Sequence, residues 1–367
     1  MSADLLYSEV EEDLRAAVRR VLRDRCDLGQ VLARCEDEQP CDLALWRTLA
    51  GELGIAALAV PEESGGAGAG VRELAVVAEE LGRGVAPVPF LGTVLATSAL
   101  AAAGFDEPIP EIAAGTLVAT LAVGLTTSPF ATIEPTVREQ DGTLSGTVTA
   151  VVDLDVADRV LVPAAGADGI ALHLVDTAGP GVARTPVTPL DLTRRFGTLE
   201  LTGAPARRIS ADAAPVLRRA LLTAAGVLAA EQVGLAQHCL DSTVEYAGTR
   251  FQFGRAIGSF QAVKHRLADL WSGVSTARAT SRAAAAALGQ DGAVDAETEL
   301  AVALAQAYCS DVAVLAAEES LQLHGGIGMT WEHPIHLHLG RAKSSQLVFG
   351  TPERHRARIA ELADLPA

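Results

Sequence analysis

Two long stretches rich in Ala and Leu at helical spacing, residues 214–246 and 263–288, flank a short run that a plain helical hairpin does not require. That run opens residues 250–270, which read R-F-Q-F-G-R-A-I-G-S-F-Q-A-V-K-H-R-L-A-D-L. Gly254 and Gly258 break the helical pattern, with Arg250, Gln252, Phe253, Ser259, Phe260 and Gln261 displayed around them. A turn between helices needs a glycine and polar caps. Two arginines, two glutamines and three phenylalanines within a dozen positions go beyond that and predict a surface that holds something polar and planar. A third helical stretch, 294–323, and shorter ones at 334–348 and 352–362 make residues 210–367 an antiparallel helical bundle.

The preceding chain divides by periodicity. Residues 1–115 read as helical: Leu5, Val10, Leu14, Val18 and Leu22 fall near i, i+4 spacing, and Asp42 caps a second helix running through Leu53. The run P-E-E-S-G-G-A-G-A-G at 61–70 lacks a preceding strand and a phosphate-binding lysine, so it is read as a connecting turn. Between about 116 and 209 the pattern becomes period-two with β-branched residues, at 117–125, 143–151, 159–162, 170–175 and 197–201. Asp141-Gly142, 166–169 and 179–181 supply turns, which predicts a small barrel or sandwich. The expectation is an α+β, mostly helical chain of three domains, 1–115, 116–209 and 210–367.

With 367 residues, 49% of them hydrophobic, the chain can bury substantial cores. No run of about eighteen apolar residues is free of charges or turn formers, and residues 1–15 are acidic and amphipathic rather than signal-like, so a cytoplasmic chain with no membrane partner is expected. A formal charge of −17 argues against nucleic acid. Cys26, Cys35, Cys41, Cys239 and Cys309 form no CxxC and read as free thiols. His333, His336 and His338 have a spacing a metal could use, but Glu332 is the only nearby carboxylate; they read as helix-surface or interface residues, and no metal site is expected.

The run at 250–261 resembles the R-x-x-F-G-x-x-I-x-x-F-Q signature of the acyl-CoA dehydrogenase family. Trp46 to Gly54 followed by V-P-E-E-S-G-G-A-G and E-E-L-G at 79–82, Q-L-H-G-G-I-G-M-T-W-E-H-P at 322–334, and F-G-T at 349–351 resemble further family segments in the same order. The resemblance implies an N-terminal helical domain, a middle β-barrel domain and a C-terminal four-helix bundle. It implies FAD shared at a subunit interface, with Arg250, Gln252, Phe253, Phe260, Gln261, Gln322, Gly325 and Gly326 reaching the pyrophosphate and adenine of a neighbour's FAD. An arginine fork and close-approaching glycine backbone suit a pyrophosphate.

The family reaction takes a proton from the carbon beside a thioester, which needs a carboxylate base. Of the family's two base positions, one falls here on Phe349 and the other on Ala224, whose companion arginine position is Ala225. Neither can accept a proton, so no catalytic residue is expected. Glu231, Glu245 and Glu353 are the nearest carboxylates and read as helix-surface or FAD-proximal. The family's T-E-P-x-A-G-S-D loop is replaced by A-T-L-A-V-G-L-T-T at 119–127, and its tryptophan-containing strand by V-V-D-L-D-V-A-D at 151–158, so the polar lining of the chain's own flavin-ring pocket is expected to be depleted. The leading expectation is a base-deficient subunit of a hetero-oligomeric acyl-CoA dehydrogenase, in a hetero- or homotetramer, completing FAD sites presented by a catalytic subunit and acting on bulky acyl-CoA substrates. Two alternatives stay open: an active homo-oligomeric dehydrogenase whose base is unmapped, for instance Glu353 or Asp241, and a flavin-free acyl-CoA binding or scaffold protein.

Overall fold

The computed structural model describes residues 5–37, 39–289 and 294–365. Residues 1–4, 38, 290–293 and 366–367 of the expected segments lie outside them. The first helical layer comprises α1 (Glu9–Arg25), α2 (Leu28–Arg34), α3 (Leu43–Arg47), α4 (Val71–Arg83), α5 (Phe90–Ala103) and α6 (Ile109–Ala113). Helix α1 begins later than its apolar spacing predicts, because Ser8 and Glu11 close a capping box (Glu11 N to Ser8 Oγ 3.2 Å, Ser8 N to Glu11 Oε2 2.6 Å). Asp42 does cap a helix, its carboxylate accepting from Ala44 and Leu45 N–H. That helix is the third, and after Arg47 it widens into a π-helical turn, Thr48–Glu52. The glycine loop is a close-packed turn: a Cβ on Gly66 would lie 2.2 Å from the Val60 carbonyl oxygen.

Strands β1 (Ala119–Leu121), β2 (Val137–Gln140), β3 (Thr143–Val152), β4 (Arg159–Gly166), β5 (Gly169–Asp176), β6 (Val182–Val187), β7 (Phe196–Pro205) and β8 (Arg207–Ser210) follow. Their order is β6-β7-β3-β2-β4-β5-β8, with β1 parallel to β4. The β2–β4 link is a single pair, Arg138 with Ala165, so the sheet folds there into two leaves around Val137, Leu144, Leu154, Val160, Val162 and Leu199. Strands β2, β6 and β8 escaped the sequence reading because they are largely exposed and carry no apolar alternation.

The chain then enters α7 (Ala213–Thr249), a short hairpin of β9 (Phe251–Gln252) and β10 (Arg255–Ala256), α8 (Gln261–Leu288), α9 (Ala296–His324), α10 (Ile335–Ser345) and α11 (Pro352–Leu362). Helices α7 and α9 with its following turn are long and apolar enough to cross a membrane, a feature the sequence reading did not credit. In the fold they are the central bundle helices, with 78% and 67% of their apolar windows buried. One large core joins α1, α4 and α5 to the bundle and to the inner face of the sheet.

Helices α4 and α7 cross in close contact at two glycines. A Cβ on Gly234 would lie 1.7 Å from the Glu79 carbonyl oxygen, and one on Gly82 would lie 2.1 Å from that of Glu231. Each glycine therefore receives the other helix's backbone. A different link joins the first layer to the sheet: Asp153 accepts a hydrogen bond from Gly92 N–H (2.9 Å) in the first turn of α5, whose N-terminus has no side-chain cap of its own. Asp153 is buried at a left-handed backbone position (φ +56°), and burial pushes its carboxyl up to about 7.

Two expectations follow. Gly234→Ala forces the helices apart and should lower the melting temperature by roughly 5–10 °C, as measured by calorimetry. Asp153, raised above its ordinary value of about 3.9, holds a proton in the folded state that the unfolded chain has lost; its contribution is full below pH 4 and is lost as pH rises through 7. Asp153→Asn keeps the acceptor without titrating. The melting temperature of the parent minus that of the variant should therefore fall between pH 5 and pH 8, and a difference that is flat with pH would contradict the assignment.

Candidate functional site

The expected base positions lie in closed, apolar surroundings. Phe349 is 2% exposed, sits at φ +60°, and its N–H donates to the Leu125 carbonyl (3.0 Å). An aromatic residue in the left-handed region costs about 1 kcal/mol, which the buried ring and this hydrogen bond offset. The cavity beside it, lined by Leu91, Leu95, Val123, Leu125, Val152 and Phe349 among others, measures about 10 Å³ and has no polar side chain in its wall. That is room for one water at most. Ala224 and Ala225 are fully buried, and the Ala225 carbonyl accepts from Gln306 Nε2 at 2.5 Å.

None of the alternative carboxylates faces that cavity. Glu353 is exposed at the start of α11, 3.6 Å from Arg356. Asp241 is exposed and tied to Arg83 (2.8 Å) and Gln237 (2.7 Å), and Glu245 is exposed. The helix-surface reading of Glu231 is corrected: it is 5% exposed, lies 2.5 Å from Arg194 and 3.3 Å from Arg341, and Arg341 in turn lies 2.5 Å from the fully buried Asp191. Burial alone would raise Glu231, yet the two guanidinium groups hold it below its ordinary value. A carboxylate so strongly paired is a poor proton acceptor.

Two open grooves flank the sheet. One, about 340 Å³, lies between Phe130, Ile133, Ile170, Pro215 and Arg218; the other, about 380 Å³, runs along Val123, Thr127, Thr136, Thr147, Thr149 and Pro163. The threonine side chains give the second groove more hydroxyls than the altered 119–127 and 151–158 segments led us to expect, although the Thr136 hydroxyl already donates to the Thr147 carbonyl. The sequence reading also missed His355. It is 1% exposed, packs edge-on against Phe130 with ring centroids 5.6 Å apart, and is held down to about 4 by burial, hence neutral.

At the far end of the bundle the situation is reversed. Arg250 is the C-cap residue of α7, its N–H bonded to the Tyr246 carbonyl, and its side chain is exposed together with those of Gln252 and Gln261. Phe253 is 92% exposed at φ +51°, and Phe260 is half-buried with the Arg255 guanidinium 3.8 Å above its ring. Gln322 is exposed on the last turn of α9, and Gly325 (φ +64°) and Gly326 follow with open space where a Cβ would stand. Among the described residues, the side chains of Arg250, Gln252, Gln261 and Gln322 take no hydrogen-bond partner. They are unspent donors, and Gln322 lies on the last helical turn before a glycine turn whose backbone a ligand can approach.

The histidines are also placed differently from the sequence reading. His338 is fully buried, its Nε2 3.2 Å from the Arg83 carbonyl and its ring stacked on His238 at 4.3 Å; burial lowers it to about 4. His333 and His336 are half-buried; His336 stacks on Trp331, and His333 meets the His324 ring at a tilt. No cluster of three or more metal-ligating side chains forms among the described residues.

Residues 8–109 match the acyl-CoA dehydrogenase N-terminal domain and residues 214–363 the acyl-CoA dehydrogenase C-terminal domain. The chain is 36% identical over 352 residues, 96% of its own length and 98% of the relative's, to the acyl-CoA dehydrogenase IpdE2 of Mycolicibacterium smegmatis. It is 35% identical over 380 residues, 99% and 100% of the two lengths, to acyl-CoA dehydrogenase FadE27 of Mycobacterium tuberculosis. Among solved structures it superimposes on a chain of the ChsE4-ChsE5 complex from Mycobacterium tuberculosis with a TM-score of 0.88, 33% identity and full coverage of both chains. A variant of the Tcur3481-Tcur3483 steroid ACAD gives 0.85 and 32% identity over 97% and 98% of the two chains. With this coverage and the helical layer, folded sheet and bundle described above, the chain belongs to the acyl-CoA dehydrogenase family.

Proposed function

We propose that the chain is the base-lacking subunit of a hetero-oligomeric acyl-CoA dehydrogenase, with segments 1–115, 116–209 and 210–367 as its domains. It completes, from outside, a FAD site whose reactive half is carried by a second subunit. One observation carries this reading: the exposed end of the bundle keeps a set of unpartnered donors, while the positions for a proton acceptor and its companion arginine are a phenyl ring and two methyl groups sealed in the core. Similarity to a chain of the ChsE4-ChsE5 complex supports a family subunit as the partner, and similarity to a steroid ACAD supports a bulky, steroid-like acyl group on the thioester.

The residues present fit the dinucleotide end of FAD. Arg250 would pair with the pyrophosphate through its planar fork, and Gln252, Gln261 and Gln322 would donate to phosphate or adenine edges. Gly325 and Gly326 leave the space a close-lying ligand needs. Phe253 and Phe260 would offer ring faces beside it. When bound, FAD supplies the hydride acceptor for α,β-dehydrogenation. This chain's share is binding and orientation; proton removal falls to a carboxylate on the partner, because Phe349, Ala224 and Ala225 have no atom that takes a proton.

The test is to express the tagged chain alone and to purify it with its partner from native cells. The complex should contain two different family chains and bind FAD, whereas the isolated chain should be colourless and inert toward acyl-CoA. Arg250→Ala should reduce the FAD content of the complex about tenfold or more without dissociating it. An isolated chain that purifies yellow and reduces an electron acceptor with acyl-CoA would overturn the proposal. Installing the missing carboxylate should not rescue it: Phe349→Glu buries an unpaired charge in an apolar cavity of about 10 Å³. It should cost about 3 kcal/mol or more in chemical denaturation and produce no turnover by the isolated chain.

A further inference from the structure

The two halves of the exposed donor set come from distant parts of the chain. Arg250 and Gln252 follow α7, whereas Gln322, Gly325 and Gly326 end α9. Something must fix their separation, because a clamp for one rigid ligand loses affinity when its halves move independently. The contacts between the two helix ends identify it. The Tyr246 ring, one turn before Arg250, stacks on the His324 ring with centroids 4.5 Å apart and planes 27° apart. His324 in turn has His333 against it at 4.6 Å and 48°. Beneath them the Thr243 hydroxyl donates to Ser320 Oγ (2.7 Å), and His324 Nδ1 lies 2.7 Å from the Ser320 carbonyl oxygen, donating to it as the Nδ1–H tautomer.

We infer that the ring cluster of Tyr246, His324 and His333, with Tyr246 stacked on His324, is the spacer of the dinucleotide clamp, with His324 as its positioning residue. The inference rests on the proposed FAD role of Arg250 and the glycine turn. His324 touches both halves: its backbone leads directly into Gly325, and its ring bears on the helix turn whose Tyr246 carbonyl accepts the Arg250 N–H. It is 4% exposed, so its flat face, and not a donor reaching outward, is what it contributes. The adjoining turn has little slack, since a Cβ on Gly328 would lie 2.6 Å from the Leu321 carbonyl oxygen and 3.1 Å from His324 Cβ. A change in the ring at 324 is therefore transmitted to the backbone at 325 and 326.

The stack predicts a discrimination that a merely space-filling role does not. His324→Leu has comparable bulk and suits a buried site, but has no flat face. His324→Phe keeps the face and loses the hydrogen bond to Ser320. The native complex carrying each variant is stripped of flavin and titrated with FAD by fluorescence, with its mass and melting temperature recorded. His324→Leu should keep the assembly and the melting temperature and weaken FAD about tenfold, while His324→Phe should stay within about threefold of the parent. If His324→Leu binds FAD as the parent does, or if His324→Phe is as weak as His324→Leu, the spacer role is overturned. Tyr246→Leu, which removes the ring from the other side, should weaken FAD to the same extent and stands in if His324→Leu does not fold. Arg250→Ala separates the two levels: FAD binding lost there but unchanged in the His324 variants leaves the clamp standing and removes the spacer. FAD binding unchanged in all of them removes the clamp itself.

Discussion

Glu231 is where the parts of this molecule are fastened together. Its carboxylate is gripped by Arg194, which arrives from the loop before β7, and by Arg341 on α10, whose other partner is Asp191. Its backbone carbonyl faces Gly82 of α4, where no side chain would fit. One residue on α7 thus meets the sheet, the first helical layer and the end of the bundle. Four buried charges are expensive to desolvate, and their mutual attraction roughly balances that cost while removal of any one leaves an uncompensated ion. Such a network adds little net stability to the intact protein but strongly penalises any other relative arrangement of the elements it joins.

That fixed arrangement has opposite consequences at the two ends of α7. Toward its start, Ala224 and Ala225 are packed flat among other helices, and the sheet brings Leu125 against Phe349. A carboxylate at either base position would need a cavity with polar walls, and the protein has none there. Toward its end, α7 emerges from the core and delivers Arg250 to solvent. The same rigid helix closes one region and presents the other, so on the proposed reading a missing base at one end leaves the dinucleotide clamp at the other end undisturbed.

The helices were legible because their apolar periodicity is repeated over many turns, and the buried strands because they alternate. Strand β6, whose residues are nearly all exposed, carries no such signal, and its existence follows from pairing with β7. The exposed residues proposed to hold the cofactor were readable from local motifs, since Arg250, Gln252 and Gln322 exceed what a helix turn needs. What could not be read were roles that depend on distant partners. Glu231 resembles a helix-surface carboxylate until Arg194 and Arg341 are in place, and His338 resembles a surface histidine until α4 and His238 cover it. Nor does the spacing of Tyr246 and His324 in the chain reveal that their rings stack, because that contact exists only once α7 and α9 lie side by side.

The pattern of exposure at the proposed clamp bears on what kind of partner covers it. Phe251 and Phe253 are exposed beside Arg250 and Gln252 in the chain, and Ile327 and Met329 in the turn that follows Gln322; exposed apolar side chains grouped in this way mark interaction surfaces. A second copy of this chain could bury those side chains, but it would bring to the clamp no carboxylate at the base positions, since Phe349 and Ala224 recur in it. On the proposed reading, the donors and the apolar rim are satisfied together only by a subunit that brings the reactive half of the site with it. This favours a mixed assembly over a symmetric one built from this chain alone.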